Sequence, residues 1–273
     1  MSDPDDPKRI LITGATDGIG KETARMLVAR GQQVLLHGRS AGKLEQVEEK
    51  LVADHPGAEI ECYAADLSRM AEVEALAEQV IDRNQKLDVL INNAGVFKLD
   101  QPHSPEGLDL RFLVNTVAPY LLTKRLLPAM SSDGRVINLS SAAQAPVDLA
   151  ALAGKVRLSD GEAYAQSKLA LTMWSRQLAL ELGERSPAII AVNPGSFLGS
   201  KMVKEAYGTS GKDLSIGAEI LTAAALDDAF ASASGSYFDN DSGRFAPPHP
   251  DALDERKFEG LVEVVERLLR AQG

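Results

Sequence analysis

The chain has 273 residues, 44% of them hydrophobic, and its 29 Lys and Arg against 39 Asp and Glu leave a formal charge of −10. That length and apolar content favour one large α/β domain, and the acidic surplus argues against a nucleic-acid or anionic-membrane partner. A lone Cys62 excludes an intrachain disulfide and fits a reducing, cytoplasmic setting, the four histidines lack ligand spacing and so give no metal site, and no run approaches the roughly 18 apolar residues of a membrane span.

Residues 1–7 are acidic and Pro-rich, without the basic and apolar regions of a secretion signal, and read as a flexible tail before a single domain over 8–273. Apolar runs at 9–13, 33–37, 59–64, 87–91, 135–139 and 188–192 read as strands buried on both faces. Helical periodicity at 18–30, 41–54, 69–83, 106–130 and 162–183 fills the gaps. Strict alternation implies a doubly wound Rossmann-type parallel sheet of about seven strands, with helices on both faces and right-handed crossovers.

Behind the first strand stands Thr13-Gly14-Ala15-Thr16-Asp17-Gly18-Ile19-Gly20. A helix N-terminus offers unpaired N–H groups and a positive dipole end, and glycine lets backbone approach a phosphate. Gly14 ends the strand while Gly18 and Gly20 open the helix, so Gly14, Thr16, Asp17, Gly18, Ile19 and Gly20 form a candidate dinucleotide cradle. The spacing G-x-x-x-G-x-G departs from the common G-x-G-x-x-G. The second strand ends in His37-Gly38-Arg39 with no carboxylate to take a ribose 2′-hydroxyl; Arg39 suits a 2′-phosphate, which favours NADP(H) over NAD(H), although Asp17 would weaken that preference by repulsion.

Asn92-Asn93-Ala94-Gly95 follows the fourth strand. Pro119 should kink or locally relieve the 106–130 helix, and Ser140-Ser141 places hydroxyls at the end of the fifth strand, where open α/β sheets bind ligands. Tyr164-Ala165-Gln166-Ser167-Lys168 then puts a phenol and an ammonium at i and i+4 on one helix face. A nearby ammonium favours phenolate, which makes Tyr164 a candidate acid/base. The same helix is apolar on two sides, through Leu171, Trp174, Leu178 and Leu182 on one and Leu169, Met173 and Leu180 on the other. It needs two partners, the sheet and either a second subunit of a homodimer or the 106–130 helix. Residues 194–215 are rich in glycine and read as a mobile loop, with 196–215 as the substrate-covering part. A helix at 216–231, a strand at 236–238 and an amphipathic helix at 252–270 complete the chain.

These pieces run in the order of the short-chain dehydrogenase/reductase family, and together they resemble it over nearly the whole chain. The resemblance rests on TGATDGIG, Asp66 after the third strand, NNAG, Asn115 in the fourth helix, the Ser-Ser end, YAQSK and Asn193-Pro194-Gly195. It implies that Ser141 hydrogen-bonds the substrate oxygen, that Tyr164 exchanges the proton, that Lys168 holds the nicotinamide ribose and lowers the tyrosine pKa, and that Asn115 anchors a water in a proton relay. It further implies that Asp66 contacts the adenine, that Asn92 contacts the adenosine side, that Pro194 and Gly195 flank the nicotinamide, and that Leu67, Ala94 and Gly95 belong to the cofactor-binding set. Ser141 and Tyr164 stand 23 positions apart, more than in compact members. The extra 145–161 segment is similar to the insertion of the retinol-dehydrogenase-like branch, and 196–203 looks most like bacterial ketoreductases of that branch. Val147, Leu149, Leu152, Val156 and Leu158 could wall an apolar pocket or pack as a surface excursion. A threonine usual in the family is Gly199 here, with Ser200 next. The expected activity is NADP(H)-dependent hydride transfer between nicotinamide and an apolar ketone, aldehyde or alcohol. The rival is a binding protein that senses NADP without turnover. A sugar epimerase or dehydratase would need more chain after residue 195.

Overall fold

The computed structural model describes residues 6–183, 186–199, 208 and 211–272. One sheet holds eight strands: β1 (Arg9–Ile12), β2 (Gln33–Gly38), β3 (Ile60–Ala64), β4 (Leu87–Asn92), β5 (Met130–Leu139), β6 (Ala188–Asn193), β7 (Tyr237–Asp239) and β8 (Arg244–Ala246). Their order is β3-β2-β1-β4-β5-β6-β7-β8; all pair in parallel except β8, which is antiparallel to β7. Chain direction across the sheet reverses between β1 and β4, which opens a crevice at their C-terminal ends.

Among the described residues the α-helices are α1 (Gly18–Ala29), α2 (Ala41–Asp54), α3 (Met70–Arg83), α4 (Leu110–Phe112), α5 (Ala118–Leu126), α6 (Leu149–Leu152), α7 (Asp160–Leu182), α8 (Ser215–Leu226) and α9 (Glu255–Gln272). Strand side chains alternate between two cores. Ile10, Ile12, Val89 and Ile91 pack with α1, α2 and α8, while Leu11, Leu90 and Val136 pack with α3, α5, α7 and α9. The near-continuous apolar strands follow from this double covering.

The expected 106–130 helix is broken. α4 widens into a π-turn over Leu113–Val117 before α5, and a 3₁₀ turn over Leu127–Ala129 ends it. Pro119 has no N–H to return to the Asn115 carbonyl four residues back, so the local relief expected of it takes the form of a wider turn. β5 starts five residues before the expected 135, with a register irregularity opposite Leu87–Val89. The 216–231 helix stops at Leu226, and β8 was not expected. β8 is a three-residue edge strand whose Phe245 ring packs against Phe230 and Phe238, too short to carry a period.

The 145–161 segment packs on the core through four of its five apolar side chains. Leu152 is buried, Val147, Leu149 and Leu158 pack on the α3–α5–α7 core, and only Val156 of the five stands exposed. Asp148 caps α6 by accepting from Ala150 N and Ala151 N, and a Cβ on Gly260 of α9 would lie 3.0 Å from Leu149 Cδ1. Part of α7 is covered within the chain, while its Leu180 and Leu182 stand exposed. Leu169, Leu171, Met173 and Trp174 are all buried, Trp174 meets Tyr120 of α5 edge-on at 5.6 Å, and α9 closes over the pair. Among the described residues no helix is long and apolar enough to cross a membrane.

Candidate active site

The glycine turn is built by close approach. Gly14 has φ +68°, and a Cβ there would lie 2.9 Å from Ala94 Cα. A Cβ on Gly20 would lie 2.5 Å from Gly14 O and 2.3 Å from Asn93 Nδ2. No side chain fits at either position, so α1 starts tight against β4 and presents its amide end to the crevice. Asp17 caps α1, its Oδ1 accepting from Gly18 N at 2.7 Å. Asn93 Nδ2 donates to Thr13 O (2.8 Å) and Gly14 O (3.1 Å), while Ala94 N donates to Thr13 Oγ1 (3.0 Å). Thr16 packs over Gly38, and Ile19 turns toward α8 at Gly217. Arg39 stands exposed just past β2. Asp66 accepts from Ser68 N and Ser68 Oγ, and Leu67 is buried in the core. The seat therefore suits a dinucleotide: close backbone, a helix N-terminus capped only at its first amide, and a cation beside the second strand.

Asn92 is the last residue of β4. Its side chain is buried, and Nδ2 donates to Thr123 Oγ1 (3.1 Å) and Asn138 Oδ1 (2.8 Å). It ties β4 to β5 and α5, and the neighbouring Asn93 holds the cradle. Adjacent residues of a strand face opposite sides of the sheet, which separates the two asparagines.

Across the crevice, Ser140 and Ser141 divide in the same way. Ser140 Oγ is buried against Thr172 Oγ1 at 2.7 Å. Ser141 is half-buried, and its Oγ accepts from Ala143 N at 3.1 Å. Its carbonyl accepts from Gln144 Nε2 (2.9 Å) and from the Tyr237 hydroxyl (3.2 Å), two partners the sequence did not flag. On α7, Tyr164 is half-buried with Phe97 edge-on at 4.8 Å. Lys168 is buried; its Nζ lies 5.7 Å from the Tyr164 ring centroid and donates to Leu139 O at 2.7 Å. Burial alone lowers its pKa from 10.5 to about 8. A Cβ on Gly95 would lie 3.5 Å from Lys168 Nζ and 3.4 Å from Asn115 Oδ1. Asn115, in the π-turn, accepts from Val96 N (2.8 Å) and donates to Val96 O (2.9 Å) and Ser167 Oγ (3.0 Å). One helix, one π-turn and two strand ends thus converge on Gly95.

Pro194 and Gly195 follow β6, with Gly195 at φ +119°. The turn between β7 and β8 fastens them: Asn240 Nδ2 donates to Pro194 O (2.9 Å), and Asp241 accepts from Ser196 N (2.9 Å) and Ser196 Oγ (2.6 Å). The base of the expected 196–215 loop closes through Gly199 N to Lys212 O and Lys212 N to Phe197 O, each 2.7 Å. Ser200 and most of that loop lie outside the described residues.

The family model for short chain dehydrogenases matches residues 8–210. Mouse retinol dehydrogenase 12 is 34% identical over 251 residues, covering 85% of this chain and 77% of its own length. Human retinol dehydrogenase 13 is 29% identical, covering 91% and 80%. Among solved structures, the landomycin C-6 ketoreductase LanV with bound NADP and rabelomycin is 28% identical at TM-score 0.67, covering 85% of this chain and 94% of that one. A metagenomic short-chain oxidoreductase in complex with NADP is 30% identical at TM-score 0.64, covering 83% and 93%. The tyrosine–lysine face, the serine end and the glycine turn thus belong to a protein whose relatives are named for oxidation and reduction, and the chain belongs to the short-chain dehydrogenase/reductase family of oxidoreductases.

Proposed function

We propose that this chain interconverts an apolar ketone or aldehyde and its alcohol, with NADP(H) as coenzyme and Tyr164 as the acid/base. The observation that carries this reading is the placement of buried Lys168 Nζ 5.7 Å from the Tyr164 ring and beside Gly95. The coenzyme would supply a hydride to the carbonyl carbon, or take one from the alcohol. Gly14–Gly20 would hold its diphosphate, Arg39 its 2′-phosphate, and Pro194–Gly195 would flank its reactive ring. Because Ser141 Oγ already accepts from Ala143 N, its own hydrogen is free to point at the substrate oxygen. Ser141 and Tyr164 then meet the negative charge that develops on that oxygen, and Tyr164 completes the reduction by giving its proton. Lys168 uses one N–H on Leu139 O and keeps two for a ribose and for steadying the phenolate. Phe97 against Tyr164 supports an apolar substrate, as do relatives named for retinol and a neighbour holding rabelomycin.

A panel of ketones and aldehydes followed at 340 nm tests the reading. With an accepted substrate, Y164F is expected to lose about 10³-fold in kcat while NADPH still binds. Retained turnover, or no NADPH oxidation with any carbonyl, rejects it; the second outcome favours the coenzyme-sensing alternative. R39D is expected to reverse the NADP/NAD preference, and equal affinity of the native chain for both coenzymes would reject the assignment of Arg39.

A further inference from the structure

Four hydrogen bonds leave the last two residues of β2 for the turns on either side. Toward β1, Gly14 N donates to His37 Nδ1 (3.3 Å) and Ala15 N to His37 O (2.8 Å). Toward β3, His37 Nε2 lies 3.1 Å from Ala65 O, and Ala65 N donates to Gly38 O (3.2 Å). A backbone amide only donates and a carbonyl only accepts, so the ring is fixed as the neutral tautomer carrying its proton on Nε2. The imidazole is 1% exposed, and burial pushes its pKa down to about 4, against smaller upward pulls from Ala65 O and the Asp66 carboxylate. Asp66 is the one charged group acting on the ring among the described residues. The turn after β1 brings the uncharged Thr13 and Gly14, and Tyr63, level with His37 on β3, spends its hydroxyl on Glu61 and Asn84. The Gly14 amide is therefore committed to an imidazole, and the phosphate is left to the amides that follow it.

We propose that His37 is a positioning residue for the dinucleotide, the joint that sets the Gly14–Gly20 phosphate turn against the Asp66 turn on the adenine side. This rests on the coenzyme reading above. A rigid ring with an acceptor on one edge and a donor on the other spans both turns at a fixed separation, and Arg39 leaves the strand from that joint. Chemically, the site couples the two ends of an adenosine diphosphate before the ligand arrives.

NADP⁺ titrations of the full chain by calorimetry, well below each variant's Tm, test the assignment. H37F keeps the ring and loses both bonds; its affinity is expected to fall about tenfold. H37N can still accept from Gly14 and is expected to lie between H37F and wild type. A purely structural role would lower Tm and leave the affinity of the folded protein unchanged. If H37F does not fold, H37N and the wild-type imidazole ¹⁵N spectrum carry the test. That spectrum should show the neutral Nε2–H form from pH 7.5 to about 5.5 and shift on adding NADP⁺. Affinities within twofold of wild type in the folded variants, or a His37 ring that titrates near its ordinary 6.5, overturn the proposal. A wild-type chain that binds no NADP⁺ sinks the coenzyme reading itself, whereas binding that both variants match sinks only the role of His37.

Discussion

Lys168 stands in the interior with its charge set against one carbonyl and no counter-ion among the described residues, which explains why its pKa falls to about 8. The unfolded chain takes up that proton near 10.5, so between pH 8 and 10.5 the unfolded state binds more protons than the folded one. Stability from this group therefore rises with pH across that window and is lowest below it. The buried charge costs about 3 kcal/mol at neutral pH by this shift. K168M should abolish turnover, and the difference in unfolding free energy between wild type and K168M should shift in favour of wild type from pH 8 to 10.5. A pH-independent difference in denaturant titrations would show that the ammonium is solvated. The same proton loss should lower wild-type kcat above about pH 8, since a neutral amine no longer favours phenolate. Tyr164 and Lys168 were legible because i,i+4 spacing fixes a shared helix face whatever surrounds it. Asn92 and Asn93 were not, because strands apolar on both faces hide which asparagine points where.

At the scale of elements, the regular β–α alternation was readable through β6, and the readings failed where pieces became short. The β7–β8 turn is the consequential omission. Asp239, Asn240 and Asp241 carry no motif, yet they brace both sides of the Asn193–Ser196 segment. Asn193 Nδ2 donates to Asp239 Oδ1 (2.8 Å) and Asp241 Oδ2 (3.0 Å), Asn240 reaches Pro194 O, and Asp241 holds Ser196. Lys212, where the 196–215 segment returns, lies 4.0 Å from Asp241 Oδ1. No local pattern announces this, because the partners sit some 45 residues upstream and meet only when β7 docks on β6. D241A should leave Ser196 N and Ser196 Oγ without their acceptor, leave Asn193 Nδ2 held by Asp239 alone, and let the Pro194–Gly195 flank drift. Small displacements of a positioning contact cost heavily, so kcat/KM is expected to fall about 10²-fold, with D241N retaining more than D241A. Steady-state kinetics on both variants checks the order; equal values for D241A and wild type would show the brace to be incidental.

Across the whole molecule, the two-faced apolar helix was visible in sequence, while the identity of its second cover was not, since periodicity reports a buried face and not what buries it. The cover is α9. Its own Leu261, Val264 and Val265 are buried, and its Glu266 Oε1 accepts from the Tyr120 hydroxyl (2.7 Å) and Lys124 Nζ (2.6 Å). At about 2 kcal/mol for each buried aliphatic, these three contribute about 6 kcal/mol, comparable to the net stability of many domains. A chain ending at Asp254 would thus bare the Tyr120–Trp174 face and must either associate through it or lose its fold. Trp174 is the single tryptophan, so its emission reports on that face alone. The full chain should emit at short wavelength, because Trp174 is 1% exposed in the folded chain. The truncated chain should emit at longer wavelength, and it should dimerise, aggregate or melt well below the full chain. A full-length dimer whose formation quenches or shifts Trp174 emission would mean that α9 yields to a second copy, and the in-chain cover would then be only one of two states of this face.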